Sequence, residues 1–343
     1  MPQYSMFNIN ADKVCSWLEV MFNSWKIILI LLLLLLPFAT YAEKSDKKLS
    51  LTVEGDVSTH IENAFDYYLG NGVEINKAES FKWFMKAAEH GHPAAMYQVA
   101  MMYMDGEGVK EDNEIAFTWI TRSAESGFAE AQDYLGDYYR LNDASKEGLS
   151  KTKKWYLSAA EQGYLDSQYK LARTYFGEKN YIDAVEWYFA AAEKGYDFAQ
   201  YNLALMFQFG KGVKVNNAEA YYWYQNAANA GHLKSQYNLA TMYLLGHGIK
   251  KDPIKAEIWF RKTAERGMPE GQMTLGSMYL SGDGVSKDEV KAYLWMKLAY
   301  DQGVDSDREK AFMNLKSGLS DLVVAEGEKL AMECVKLKYK NCY

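Results

Sequence analysis

Cysteine is scarce. The 343-residue chain has three, Cys15, Cys334 and Cys342, so no disulfide framework can staple the long stretch between the first two. Histidine is scarce as well. Of His60, His90, His92, His232 and His247, only His90 and His92 lie close together, and no third ligand with metal-site spacing accompanies them. Nor is there any excess of base. Thirty-eight Lys and Arg face 45 Asp and Glu, a net charge of −7, which argues against nucleic acid as a partner. An anionic bilayer is disfavoured on the same ground, leaving contact with a membrane to the apolar segment near the N-terminus. No Gly-x-Ser-x-Gly elbow and no His-Glu-x-x-His pair occurs, so neither a catalytic residue nor a cofactor or metal is assigned. Long apolar runs are missing except for 27–36, IILILLLLLL, which is well short of the ~20 residues a membrane-spanning helix needs.

What the chain does have is a beat. Trp83, Trp119, Trp155, Trp187, Trp223, Trp259 and Trp295 are separated by 36, 36, 32, 36, 36 and 36 residues. A period in this range marks units that cannot bury their apolar face alone and must stack on one another. Eight residues after each Trp stands a glycine, from Gly91 to Gly303, suited to ending a helix in the left-handed conformation. Seven residues before each Trp stand Asn76, Asp112, Gly148, Asn180, Asn216, Asp252 and Asp288, residue types that favour an N-cap, and Pro253 follows Asp252 at the first helical position. These signals bracket one helix of about 14 residues per unit. Inside it Ala220, Trp223 and Ala227 share a face, so the indoles, Trp223 and Trp259 among them, are expected in the core.

A second helix follows each stop glycine, with AQYNLALMFQFGKGV over 199–213 as a representative copy. Counting from the Trp, offset 16 is Val99, Leu135, Leu171, Leu203, Leu239 and Leu275; offset 17 is Ala or Gly, and offset 20 Tyr or Phe. At 100° per residue these form one core stripe. The loop beyond carries Gly-x-Gly and a β-branched residue in five copies, such as Gly210/Gly212/Val213 and Gly246/Gly248/Ile249. With no strand before it and no Lys-Ser/Thr after it, this reads as a turn between helices and not as a phosphate cradle.

The repeated unit A-x-Y-x-L-A/G-x-M-Y, G-x-G-V, D/N, A-x-x-W, A-A-x-x-G resembles the Sel-one-like repeat (SLR), a longer relative of the tetratricopeptide repeat, over roughly 57–303. The resemblance implies an all-α fold, a right-handed α/α superhelical solenoid of about seven 36-residue helix-loop-helix repeats. It also implies a scaffold or adaptor for protein–protein interaction, of the kind found in bacterial envelopes or secreted. Cysteine-rich relatives with weak penicillin-hydrolase activity suggest a cell-wall-directed enzyme as the alternative. Those relatives carry a cysteine pair in nearly every unit, whereas these repeats have none and offer no nucleophile, so the chain is read as no enzyme. Two neighbouring units depart from the pattern. Residues 140–148, RLNDASKEG, lack the paired glycines, and the next turn, Gly177 to Asn180, is four residues short.

The expected layout is a lead and secretory signal over 1–42 and a linker over 43–56. Repeats follow over 57–91, 92–127, 128–163, 164–195, 196–231, 232–267 and 268–303, with capping helices over 304–343. Lys26 before the apolar run, Pro37 after it and Thr40-Tyr41-Ala42 beyond match a signal peptide cut after Ala42, with translation starting at Met21. The protein is therefore expected to be periplasmic or secreted, or, if the signal is not cut, anchored in the inner membrane by it. Export leaves Cys334 and Cys342 as an even pair; they are two separate thiols unless the tail folds back to bring them together.

Binding should fall to second-helix positions that differ between units while the core is constant. Offsets 15, 18 and 22 lie away from the core stripe, and the chosen positions are Tyr134, Asp137, Lys170, Arg173, Asn202, Leu205, Asn238 and Thr241. In solenoids this chain resembles, that helix lines the concave face, where a protein or peptide ligand would bind. Tyr134 and Arg173 are the expected anchors, since Tyr and Arg dominate interface energies. Lys170 and Arg173 are expected to tolerate replacement with little effect on folding.

Overall fold

The computed structural model describes residues 56–303, 305–340 and 342. The expected signal segment, the start at Met21 and all of the expected linker but Asp56 lie outside them. The described residues contain sixteen α-helices and no strand. They divide after Ser126 into two compact units. The first holds α1 (Val57–Leu69), α2 (Lys77–Glu89), α3 (Pro93–Asp105) and α4 (Asn113–Glu125). The second opens with α5 (Ala129–Asn142), α6 (Lys146–Glu161), α7 (Leu165–Gly177) and α8 (Tyr181–Glu193). It continues with α9 (Asp197–Phe209), α10 (Asn217–Asn229), α11 (Leu233–Leu245), α12 (Pro253–Ala264), α13 (Pro269–Ser281) and α14 (Glu289–Asp301). It closes with α15 (Ser306–Gly318) and α16 (Asp321–Lys336). The Trp-bearing helices are the even-numbered ones up to α14. Within each unit, consecutive helices up to α14 pack on one another, most closely where a second helix meets the Trp helix that follows it, as α5 with α6 and α13 with α14.

The expected caps form where a side-chain oxygen can reach the first turn. The carboxylates of Asp112, Asp252 and Asp288 accept from backbone N–H groups two or three residues on, and the side-chain amide oxygens of Asn76 and Asn216 do the same. Gly148 is a correction: α6 starts earlier, capped by Ser145, whose Oγ accepts from Gly148 N at 3.1 Å, and Gly148 lies buried inside the helix. A hydroxyl nearer the start outcompetes a residue that brings no acceptor. Asn180 holds the cap position but spends its amide on the Asp183 carboxylate instead. At the other end, all seven stop glycines are left-handed, with φ from 79° to 98°.

The core stripe is buried as expected: Val99, Leu135, Leu171, Leu203, Leu239 and Leu275 are each at most 1% exposed. The tryptophans need correction. Trp83, Trp119, Trp223 and Trp295 are buried, but Trp155, Trp187 and Trp259 are only partly so. The consistently enclosed position is the next one, Phe84, Ile120, Tyr156, Tyr188, Tyr224, Phe260 and Met296. The partly buried indoles stand nearer solvent, where a cation can cover them, as Lys262 covers Trp259 at 3.9 Å from the ring centre.

Two repeated devices join successive repeats. The second glycine of four paired loops, Gly108, Gly212, Gly248 and Gly284, sits against the first turn of the Trp helix one repeat earlier: a Cβ on Gly248 would stand 2.3 Å from the Asn217 carbonyl oxygen. With φ of +76° as well, only glycine fits. The second device is a buried glutamine. Gln168, Gln200, Gln236 and Gln272 donate to the carbonyls of Ala160, Ala192, Ala228 and Ala264 at 3.0–3.1 Å, satisfying acceptors left over at a helix end.

At the C-terminus α16 packs on α14, where Tyr293 lies against Gly327 and donates to Glu328 at 3.0 Å. Lys338 and Tyr339 then take left-handed backbone conformations and turn the tail back, so that Cys334 and Cys342 are joined, with Cα atoms 4.6 Å apart.

Candidate functional site

The variable positions on the second helices of the larger unit fall into two groups. Towards the C-terminal end they are largely spent on the fold itself. Asn202 donates to the Phe198 carbonyl at 2.7 Å and Thr241 to the Tyr237 carbonyl at 3.0 Å, each a bond within its own helix. Leu205 packs on the core, and Asn238 faces Tyr224, whose hydroxyl donates to Gln208 at 2.7 Å. Towards α5 and α7 the character changes. Tyr134 is half-buried, and burial pushes its hydroxyl above the ordinary tyrosine range. Asp137, Lys170 and Arg173 are brought together at one cavity of about 410 Å³, whose other lining residues are Arg140, Leu149, Thr174, Gly177 and Glu178.

One wall of this cavity is a polar chain across three helices. Lys170 Nζ donates to Asp133 Oδ2 at 2.5 Å and to Asp137 Oδ2 at 2.6 Å. Ser167 Oγ donates to the other Asp133 oxygen at 2.6 Å, and the fully buried Tyr156 donates to Asp137 Oδ1 at 2.7 Å. Arg140 donates to the same Asp137 oxygen and to the Tyr156 hydroxyl, both at 3.2 Å. On the opposite side Glu178 is taken by Lys153 at 2.8 Å. Arg173 is exposed, with its guanidinium 5.7 Å from the Tyr169 ring centre, and makes no ion pair among the described residues.

The electrostatics fix charges in place. Burial acts to raise the Asp137 carboxyl, but hydrogen bonds from Lys170 and Tyr156 outweigh it and hold the group below the usual carboxylate range. Burial likewise acts to lower Lys170, and the bonds to Asp133 and Asp137 overcome it and keep the ammonium above its ordinary value. Arg140 is held up mainly by the Tyr156 hydroxyl. Such a site presents permanent charge across the physiological range, which suits recognition of a polar ligand more than proton transfer, where a group poised near neutrality is wanted.

Lys170 is therefore not a free docking cation, and the expectation that it could be reversed with little effect on folding is corrected. A glutamate there would set a third carboxylate against Asp133 and Asp137, with only Arg140 left to offset them. Asp133, Tyr156, Ser167 and Arg140 were not among the expected site residues. One signal for them is in the sequence: at offset 14 the other copies have Tyr97, Tyr169, Tyr201, Tyr237 and Met273, so Asp133 puts a carboxylate in a row of aromatic and apolar residues. The two histidines considered as ligands serve otherwise: His90 Nδ1 lies 2.7 Å from the Lys86 carbonyl oxygen at the end of α2. His92 caps α3, as His232 caps α11, each accepting a backbone N–H at 3.2 Å.

The family model described as Sel1 repeat matches seven consecutive copies, over 64–92, 93–128, 129–164, 165–196, 197–232, 233–268 and 269–304. Among solved structures, the chain is similar to c5321, described as a protective antigen present in uropathogenic Escherichia coli strains displaying an SLR fold. The two are 32% identical with a TM-score of 0.68, over 84% of this chain and 63% of that one. The chain thus spans less than two thirds of the length of that relative. It is also similar to a Sel1 repeat protein from Oxalobacter formigenes, at 29% identity and a TM-score of 0.58 over 76% of each chain. No curated protein matches the chain. Seven adjoining matched repeats, each a pair of helices closed by a left-handed glycine, establish that the chain belongs to the Sel1 repeat family, whose members generally mediate protein–protein interaction.

Proposed function

We propose that this protein is an exported scaffold that binds a protein or peptide through the cavity between α5, α6 and α7, and acts by binding and not by catalysis. The observation that carries the reading is the fixed-charge wall: Asp137 and Lys170 are neutralised within the fold, while Arg173 projects beside them with no carboxylate of its own. A ligand carboxylate can complete that arrangement by a two-pronged bond to the guanidinium, with Thr174 and Leu149 supplying polar and apolar contact. The ligand therefore carries an acidic side chain or a free C-terminus. Export to the bacterial periplasm or beyond is supported by the signal-like segment before Glu43 and by the joined Cys334 and Cys342, a pairing that persists in oxidising compartments. That a relative is a protective antigen is in keeping with it.

The test uses Arg173→Glu, which spares the Lys170 network. Capture of binding proteins from envelope extract should fall at least about tenfold, roughly 1.4 kcal/mol, with thermal unfolding nearly unchanged. Undiminished capture would move the binding site elsewhere. For export, mass spectrometry of the periplasmic and secreted fractions should find a chain beginning at Glu43; recovery only in membranes with 27–36 attached would favour the anchored form.

A further inference from the structure

The edge of the larger unit that bears the interhelix turns has a feature the repeat does not require. Because Gly248 lies against Asn217 and Gly284 against Pro253, successive turns touch and form a continuous edge. Along it, large apolar side chains stand in solvent: Phe209 is 61% exposed, Val215 62%, Leu245 54% and Ile254 65%. Interleaved with them are Lys211, Lys214, Lys250 and Lys251, all exposed and with no ion pair among the described residues. The surplus is local. The preceding turns offset Lys146 and Lys179 with Asp143, Glu147, Glu178 and Asp183, and the following one offsets Lys287 with Asp283, Asp288 and Glu289.

We propose that the two adjoining turns, 209–217 and 245–255, form a contact surface for an anionic lipid bilayer. Apolar side chains flanked by lysine are what an interfacial contact uses: the former enter the headgroup boundary, and each lysine near the surface adds attraction of about 1 kcal/mol, roughly fivefold. The choice of cation separates lipid from an acidic protein. Folded protein interfaces are enriched in Arg and depleted in Lys, because the guanidinium fork suits fixed carboxylates. Neither turn contains an arginine. An ammonium on a flexible stem suits a fluid layer of phosphates, which sets no fixed geometry. The overall charge of −7 hides this patch, since the acids that produce it lie elsewhere.

The experiment follows amide hydrogen exchange of the full chain with vesicles of phosphatidylcholine alone or mixed with phosphatidylglycerol. Because the readout is local, it is independent of any binding by residues 27–36. Residues 209–217 and 245–255 should gain protection with the mixed vesicles and not with the neutral ones. The combined variant Lys211→Glu, Lys214→Glu, Lys250→Glu, Lys251→Glu should need at least about tenfold more anionic lipid for the same protection. Exchange in the buried helices reports whether this variant is folded. A second variant, Phe209→Ser with Ile254→Ser, should also weaken protection, and more at high salt, where screening leaves the apolar contribution dominant. Equal protection by both vesicle types, or none by either, overturns the proposal. So does protection by soluble polyglutamate in place of vesicles, which would assign the turns to an acidic polypeptide. Concentration-dependent protection without any vesicles would assign them to a second copy of the chain.

Discussion

Within the larger unit, α9 to α12 and α5 to α8 make the same joint by different means. Between the regular helices, glycine lets one turn rest backbone to backbone on the next repeat, and buried Leu, Ala and Tyr do the rest. In the irregular pair the paired glycines are gone, one turn is four residues shorter, and side chains span the gap: Lys170 ties α7 to α5, and Lys153 ties α6 to the short turn through Glu178. The regular joint has a pocket of about 490 Å³ lined by Tyr221, Tyr243 and the turn over 249–255, whereas the cavity at the polar joint is lined by the fixed charges of Asp137, Arg140, Lys170 and Arg173. The break in the repeat and the candidate site are therefore one feature.

The largest test of this contrast concerns the indoles. Trp223→Ala should cost about 3–5 kcal/mol, because the ring is buried in the regular stack, whereas Trp155→Ala should cost about 1–2 kcal/mol. Chemical denaturation of the two variants measures both, and equal losses would erase the distinction. Next come the glycines. Gly248→Ala puts a Cβ into backbone with φ of +76° and should destabilise by about 3 kcal/mol. Gly177→Ala, helical with open space around it, should be neutral or stabilise by about 0.4–1 kcal/mol. A loss at Gly177 as large as at Gly248 would mean that the short turn also depends on close approach.

Smaller effects belong to the polar joint. Lys170→Met should cost about 2 kcal/mol by leaving Asp133 and Asp137 without their shared donor, and Asp133→Asn in the same chain should recover part of that loss. The smallest effect is a pH dependence. Asp137 is lowered in the fold, so its contribution is present above the unfolded value of about 3.9 and fades as pH falls through the folded one. Lys170 is raised, so its contribution is complete below about 10.4 and fades as pH rises through its folded value. The stability gap between the parent and Asp137→Asn should therefore be flat through neutrality and close below about pH 4. A gap that closes near pH 6 would implicate another group.

Much of this architecture is legible in the sequence because it is local. Caps, stop glycines and the Leu stripe depend on residues within one or two turns, and they recur at fixed offsets. Where the reading by offset fails, geometry outside that window decides. Gly148 holds the aligned cap position, yet Ser145 supplies the acceptor that starts the helix. The Trp marks the repeat, yet its burial varies from copy to copy, while its neighbour is buried in all seven. The polar wall is less visible still: it joins residues 16 to 37 positions apart, and only the misfit of Asp133 in an aromatic row hints at it. The disulfide depends on two left-handed residues, Lys338 and Tyr339, that composition does not announce.

The glycine joint has a consequence for how such a chain can grow or shrink. Gly212, Gly248 and Gly284 find nearly the same seat, a carbonyl oxygen 2.3 Å from the added Cβ at Tyr181, Asn217 and Pro253. Identical seats make the repeats interchangeable, like links whose couplings are cut to one gauge. Excising residues 217–252, one whole period, would place Pro253 directly after Asn216 and leave every remaining coupling intact. The shortened chain should keep its helical circular dichroism per residue and a cooperative melt. Excision of 32 residues ending at the same point would mismatch the coupling and should not. On this view a Sel1 chain changes its reach in whole periods, and the 32-residue step at its centre marks a place where a different coupling had to be built.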